Sequence, residues 1–101
     1  MSNHVLVVGT LTSKATAAGV DAVLRTEVED TVRLYLRGKL DQWFFKPDDN
    51  GVVFIFNATD IKEVDAVLAA LPLSRGGLME FRTTRLAPLR PLGVLLAEPA
   101  R

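Results

Sequence analysis

The segment VVFIFNA, residues 52–58, restricts the fold more than any other part of the chain, because the strand it predicts is apolar on both faces. Side chains alternate along a strand, so Val52, Phe54 and Phe56 point one way. Val53 and Ile55 point the other way. Helices of the same chain can cover one face, and another partner has to cover the second. We therefore predict a two-fold dimer in which two such sheets pack face to face.

The rest of the chain predicts three further strands and two helices. The predicted strands span residues 4–10, 40–46, 52–58 and 78–86, and the predicted helices span 20–37 and about 60–71. Gly38 stands where the end of the first helix needs a positive φ, and Pro72 ends the second helix. Apolar residues recur along the first helix at three- and four-residue steps, at Val20, Val23, Leu24, Val28, Val32, Tyr35 and Leu36.

The order of these elements is strand, helix, strand, strand, helix, strand. That order predicts an α+β fold, a ferredoxin-like βαββαβ protomer with a four-stranded antiparallel sheet and both helices on one face. The length of 101 residues fits one domain, residues 1–101. Prolines at 88, 91 and 99 bound a C-terminal arm of about 88–101, in which residues 92–97 form a short fifth element.

Charge and composition exclude several classes of function. Twelve basic and twelve acidic residues balance, so we expect neither a nucleic-acid surface nor a membrane-binding surface. The chain has no cysteine and one histidine, which argues against thiolate chemistry and against a transition-metal site. Neither a signal peptide nor an apolar run of about 20 residues is present, so we expect a cytoplasmic protein without a metal or cofactor.

Three residues are the candidates for acid or base chemistry. His4 is the only side chain whose ordinary pKa lies near neutrality. Asp41 shares a predicted strand face with Trp43 and Phe45, opposite Leu40, Gln42, Phe44 and Lys46, and an indole beside it would desolvate the carboxylate.

Glu80 shares its face with Arg82, and a buried pair of this kind orients a substrate carboxylate or enolate. The alternative roles are an edge position for His4, packing for the aromatic residues, and a surface ion pair for Glu80 and Arg82. Tyr35 and Glu29 on the first helix are further cavity candidates that helix packing and solvation also explain.

A family resemblance follows from the order and spacing of five features over about residues 28–92. They are Gly38-Lys39, the aromatic hairpin, Leu71-Pro72-Leu73, Met79-Glu80-Phe81 and Leu86-Ala87-Pro88-Leu89. In these the chain resembles the muconolactone isomerase branch of the dimeric α/β-barrel superfamily. The resemblance implies a dimer that encloses a barrel, with a small cavity between sheet and helices in each protomer.

The resemblance also implies a choice of functions, since the family includes lactone isomerases, cyclases, monooxygenases, haem-degrading enzymes and ligand binders. Where the isomerase carries a basic and aromatic run, this chain has LDQWFF at residues 40–45, so we expect a substrate other than anionic muconolactone. We predict a cofactor-free isomerase or cyclase in small-molecule metabolism, acting on an apolar cyclic or aromatic acid or ketone. The alternatives are a cofactor-free monooxygenase and a noncatalytic ligand-binding or assembly module. The predicted catalytic residues are His4, Asp41 and Glu80, and the predicted substrate-binding residues are Tyr35, Trp43, Phe45 and Arg82.

Overall fold

The computed structural model describes residues 3–87 of the chain. The elements within that range are β1 (His4–Leu11), α1 (Ala17–Leu36), β2 (Leu40–Lys46), β3 (Gly51–Asn57), α2 (Ile61–Ala69), α3 (Pro72–Arg75) and β4 (Met79–Leu86). The predicted arm at 88–101 and the predicted element at 92–97 lie outside the described residues.

The four strands form one sheet in the order β2-β3-β1-β4, and every neighbouring pair is antiparallel. This order places the two halves of the βαββαβ chain side by side, so the ferredoxin-like fold predicted from the element order is confirmed. On α2, Asp65 accepts a hydrogen bond of 3.3 Å from the Thr83 hydroxyl of β4, which fixes that helix against one face of the sheet.

The face of the sheet against which α2 packs is here called the helix face. The core lies between the helix face and the helices. Val5 and Val7 of β1 are fully buried there, and Phe54 and Phe56 of β3 pack beside them. The rings of Phe54 and Phe56 meet nearly edge to face, with centroids 6.0 Å apart. The helices and their connections complete the core with Leu34, Val64, Leu68 and Leu71.

The other face of the sheet, here called the open face, carries apolar side chains that no helix of residues 3–87 covers. The strand register pairs Leu6 with Ile55 and Val8 with Val53, and it pairs Phe44 with Val53 from the opposite side. These five residues form an apolar centre, since directly opposite residues project to the same face. The polar members of the open face lie around them, namely His4, Thr10, Gln42, Lys46, Asn57, Glu80, Arg82 and Thr84.

Helix α1 buries a different side from the one that its apolar pattern predicts. Its buried residues are Glu27, Thr31 and Leu34, whereas Leu36 is 75% exposed. The predicted stripe is wrong in the second half of the helix, where Val28, Val32 and Tyr35 are also exposed. The reason is that Leu34 enters the core, and at about 100° per residue this turns its neighbours outward.

Strand β2 contains a β-bulge that the alternating pattern does not predict. Leu40 pairs with Phe56 and Gln42 with Ile55, so Asp41 is an extra residue in the strand. Leu40 is therefore buried on the helix face, on the same side as Trp43 and Phe45, and the prediction that it shares a face with Gln42 is wrong.

The end of α2 also differs from the prediction. Leu71 is extended, as expected for a residue before proline, but α2 already ends at Ala69. Pro72 then begins the short helix α3 where the sequence predicted only a turn. This helix places Leu73 in the core next to α1.

Candidate active site

A cavity of about 450 Å³ lies between α1 and one end of the sheet. That volume falls within the range of small-molecule sites. The cavity is lined by Leu11, Ala15, Thr16, Ala17, Val20, Asp21, Leu24, Phe45, Asn50, Val52, Leu73 and Met79. Most of these side chains are apolar, so the cavity suits an organic ring more than a strongly hydrated ion.

Two glycines outside the cavity lining, Gly9 and Gly51, allow close packing at this end of the sheet. A Cβ on Gly9 would lie 2.8 Å from Met79 Sδ, from Val52 Cγ2 and from Phe81 Cε1, so these side chains pack directly on the backbone. A Cβ on Gly51 would clash with the carbonyl oxygen of Gly9. These close approaches require glycine and bring β1 and β3 together at the cavity end.

The wall that faces the sheet is the first part of α1. The helix begins after Thr16, whose hydroxyl caps it by accepting a hydrogen bond of 3.0 Å from the Gly19 amide. Ala15 and Ala17 leave room beside this cap. Val20 and Leu24 then project toward the cavity at four-residue spacing, on one side of the helix.

Glu27 follows Leu24 by three residues on the same side of α1 and is only 6% exposed. Its Oε1 accepts a hydrogen bond of 2.9 Å from the backbone amide of Leu73, which itself lines the cavity. Desolvation by burial raises the pKa of the Glu27 carboxyl, the bond from Leu73 opposes that rise, and the charge of Asp30 adds to it.

The charged rim of the cavity is acidic. Asp21 is an exposed carboxylate, and Asn50 lies on the hairpin side with a φ of 57°. None of the described residues that line the cavity is a lysine or an arginine. Lys46 and Arg25 lie outside the cavity lining and form surface ion pairs, Lys46 at 2.9 Å from Asp49 and Arg25 at 3.6 Å from Glu29.

The aromatic residues predicted to bind substrate divide between two places. Phe45 lines the cavity. Trp43 and Tyr35 stack on each other with ring centroids 4.8 Å apart, further along the junction of α1 with β2. Both rings are partly exposed, so this stack extends an apolar surface away from the cavity.

The structure does not bring His4, Asp41 and Glu80 together. His4 begins β1 on the open face, and Glu80 lies on that same face opposite Thr10. His4 and Thr10 are six residues apart along β1, so the two positions are about 20 Å apart at strand spacing. Asp41 is exposed at the bulge of β2, where its carboxylate accepts a hydrogen bond of 3.3 Å from the Gln42 side-chain amide.

Arg82 lies on the open face opposite Val8, two residues from Glu80. No ion pair joins Arg82 to Glu80 within residues 3–87. The two residues, together with Val8, Thr10 and Phe81, line a second pocket of about 500 Å³ on the sheet.

Glu27 is the residue that the sequence reasoning missed. The spacing Val20, Leu24, Glu27, Thr31, Leu34 repeats four- and three-residue steps, which is the pattern of one helix side. A carboxylate within such a series, followed by a threonine and a leucine, is the signal that points to it.

Two further properties of residues 3–87 bear on cofactors and membranes. No group of three or more His, Asp or Glu side chains in this range is arranged to hold a metal ion. Across the same described residues, no helix combines the length and apolar character needed to cross a membrane.

Comparison with solved structures shows the fold. The 5-chloro-2-hydroxyhydroquinone dehydrochlorinase TftG from Burkholderia phenoliruptrix AC1100, in complex with 2,5-dihydroxybenzoquinone, superimposes with a TM-score of 0.68 at 12% identity. The match covers 86% of this chain and 97% of the dehydrochlorinase. Protein Atu4242 from Agrobacterium tumefaciens gives a TM-score of 0.51 at 18% identity, over 87% of this chain and 94% of that one.

No curated protein matches the sequence. The model of the muconolactone delta-isomerase family, in contrast, matches residues 1–91, which is most of the chain. This match includes every strand and helix described above and confirms the resemblance seen in the sequence, so the chain belongs to the muconolactone delta-isomerase family.

Proposed function

We propose that this chain is a small cofactor-free enzyme that transfers a proton on a cyclic or aromatic organic acid or ketone, in a reaction of the isomerase or cyclase type. The observation that carries the proposal is Glu27, a buried carboxylate with a raised pKa that lies outside the cavity lining and accepts a hydrogen bond from Leu73, which lines the cavity. Carboxylates with perturbed pKa values beside a cavity are typical of acid–base sites. Membership of the muconolactone delta-isomerase family supports the same class of reaction.

The proposed chemistry needs one carboxylate and no oxidant. The Glu27 carboxylate removes a proton from a carbon next to a carbonyl group, and the electron pair of that C–H bond forms an enolate. Glu27 then returns the proton to a different carbon, so the double bond moves and the atoms balance. A raised pKa makes the carboxylate a stronger base, and the apolar walls exclude water that would compete for the proton.

Hydrogen exchange tests this role before the physiological substrate is identified. Unsaturated lactones and cyclic ketones are incubated with the enzyme in D₂O, and deuterium incorporation is measured by mass spectrometry. We expect Glu27→Gln to lower the exchange rate by about 100-fold or more, as for loss of a general base. Glu29→Gln, an exposed neighbour on α1, is the matched control, and equal exchange in Glu27→Gln and wild type would reject the assignment.

His4, Asp41 and Glu80 stay predictions as catalytic residues. A site that uses His4 and Glu80 with Arg82 has to be completed by whatever covers the open face. His4→Gln, Asp41→Asn and Glu80→Gln belong in the same exchange assay. A loss in His4→Gln or Glu80→Gln with Glu27→Gln unaffected would transfer the chemistry to the open face.

The open face supports a homodimer as part of the proposal. Its apolar centre of Leu6, Val8, Phe44, Val53 and Ile55 has no cover within residues 3–87, and a second copy offers an identical surface. Face-to-face packing of two sheets removes both surfaces from water in one symmetric contact.

One observation favours a second function. The structurally similar dehydrochlorinase was solved with a dihydroxybenzoquinone, a ligand related to the reduced aromatic substrates of a cofactor-free monooxygenase. Such an enzyme would use the same cavity. An oxygen electrode separates the two functions, because a hydroquinone consumed with uptake of O₂ favours the monooxygenase and exchange without uptake favours the isomerase or cyclase.

A further inference from the structure

We propose that the cavity binds un-ionised ring compounds and rejects carboxylate anions, and that Asp21 sets this preference. The preferred ligands are phenols, hydroquinones, cyclic ketones and lactones without a free acid group. The inference rests on the proposed function in taking this cavity as the substrate site, and it narrows the substrate class of that site.

The first argument is the cost of removing an anion from water. Leu11, Val20, Phe45, Val52 and Met79 present hydrocarbon or thioether surface to the cavity. An ionised carboxylate loses its hydration in such surroundings and needs a paired cation to offset the loss. A neutral ring loses little hydration on entering the same space.

The second argument is the sign of the charges at the cavity. Asp21 stands on the rim, whereas the described lining residues include no cation. A bound anion would therefore meet a like charge with no counterion.

Among the described residues that line the cavity, Thr16 and Ala17 form the N-terminus of α1, a feature that attracts anions but is already occupied in part. The Thr16 hydroxyl accepts a hydrogen bond from the Gly19 amide, which satisfies one of the free N–H groups. Asp21 follows in the second turn and adds a negative charge to the cavity lining. This arrangement leaves the rim net acidic.

Binding of two matched ligand pairs tests the preference. The pairs are muconolactone with its methyl ester, and 1-naphthoate with 1-naphthol, each titrated into the full chain at neutral pH by calorimetry. We expect the neutral member of each pair to bind at least about tenfold more tightly, the size expected for one uncompensated charge contact.

Variants at residue 21 identify the residue responsible. Asp21→Asn is expected to strengthen binding of each anion about threefold or more while leaving the neutral ligands unchanged, and Asp21→Lys is expected to remove or reverse the preference. Glu29→Gln makes the same change in net charge on the same helix outside the cavity lining, and we expect it to leave the preference unchanged.

Several outcomes would overturn the proposal. They are equal or tighter binding of the anions by wild type, no binding of either neutral ligand, or an unchanged ratio in Asp21→Asn and Asp21→Lys. Because the readout is binding, it is separate from the reaction. If the ester binds tightly without hydrogen exchange, the proton-transfer function is disproved and the preference for neutral ligands stands. If an anionic acid binds more tightly than its neutral partner and does exchange hydrogen, the preference is disproved and the proton-transfer function stands.

Discussion

Glu27 joins α1 to the start of α3, because its side chain takes the place of a cap that α3 lacks. Leu71 at the N-cap makes no side-chain hydrogen bond, and the Leu73 amide binds Glu27 instead. We expect Glu27→Ala to lower the free energy of unfolding by about 1–3 kcal/mol, the cost of an unpaired buried amide. Urea unfolding measures the change. Glu29→Ala is the exposed control and should stay within about 0.5 kcal/mol of wild type.

Glu27 also predicts a pH dependence of stability. Its pKa is raised in the folded chain, so the folded state holds the proton more tightly than the unfolded chain does. The stabilising contribution is therefore complete below the ordinary value of 4.5 and is lost as pH rises through the raised pKa. The Glu27→Gln variant keeps an oxygen that can accept the hydrogen bond from the Leu73 amide, but its side chain does not titrate.

Unfolding of wild type and Glu27→Gln at a series of pH values tests this. We expect the difference in unfolding free energy to change in favour of the glutamine variant as pH increases above about 4.5. A difference that is constant with pH, or that changes in favour of wild type, would show that burial does not control this carboxyl group.

The sequence predicted residue roles only where local rules decide them. Gly38 adopts a φ of 77°, as its predicted position after α1 requires. Glu27 was missed because charged side chains are rarely buried, so composition gives no warning of one that is. What buries it is α3, an element that the sequence did not predict.

At the scale of elements, α1 and α3 end in the same way. Lys39 N donates to Leu34 O after α1, and Leu78 N donates to Leu73 O after α3, each across a glycine of positive φ. These bonds form the Schellman motif, which satisfies the last carbonyl groups of a helix. Gly76 and Gly77, here called the twin glycines, are therefore not equivalent. Of the two, Gly77 alone has a positive φ, of 72°.

Alanine substitutions at the twin glycines test this difference. Gly77→Ala forces a side chain into the left-handed region and should cost about 1–2 kcal/mol. Gly76→Ala, at a φ of −80° with its nearest contacts at 3.5 Å, should be neutral or stabilising by up to about 1 kcal/mol. Thermal unfolding of both variants measures the contrast, and equal losses would contradict the assigned turn geometry.

Element order was predictable, whereas element detail was not. Hydrophobic periodicity identified all four strands and both long helices, because each has to bury at least one apolar face. The bulge at Asp41 depends on pairing between β2 and β3, and the rotation of α1 depends on how Leu34 fits among other core residues. Both are tertiary effects that no local pattern in the sequence encodes.

At the scale of the whole molecule, the apolar segment at residues 52–58 and the structure raise the same question, namely what covers the open face. Two apolar surfaces are exposed on residues 3–87. One is the open face, and the other is the side of α1 and β2 that carries Val28, Val32, Tyr35, Leu36 and Trp43. The dimer proposal assigns the first surface to the two-fold contact, so substitutions on the two surfaces should have different effects.

Val53→Lys and Val28→Lys make that comparison. Val53 lies between Val8 and Phe44 at the centre of the open face, so its lysine variant would bury an unpaired charge in a dimer but meets water in a monomer. We expect Val53→Lys to be a folded monomer by light scattering and circular dichroism, while wild type and Val28→Lys stay dimeric. A monomeric wild type, or a Val53→Lys variant that remains dimeric, would show that the open face is not the two-fold contact. If Val28→Lys alone dissociates the dimer, the contact lies on the side of α1, where Val28 is exposed.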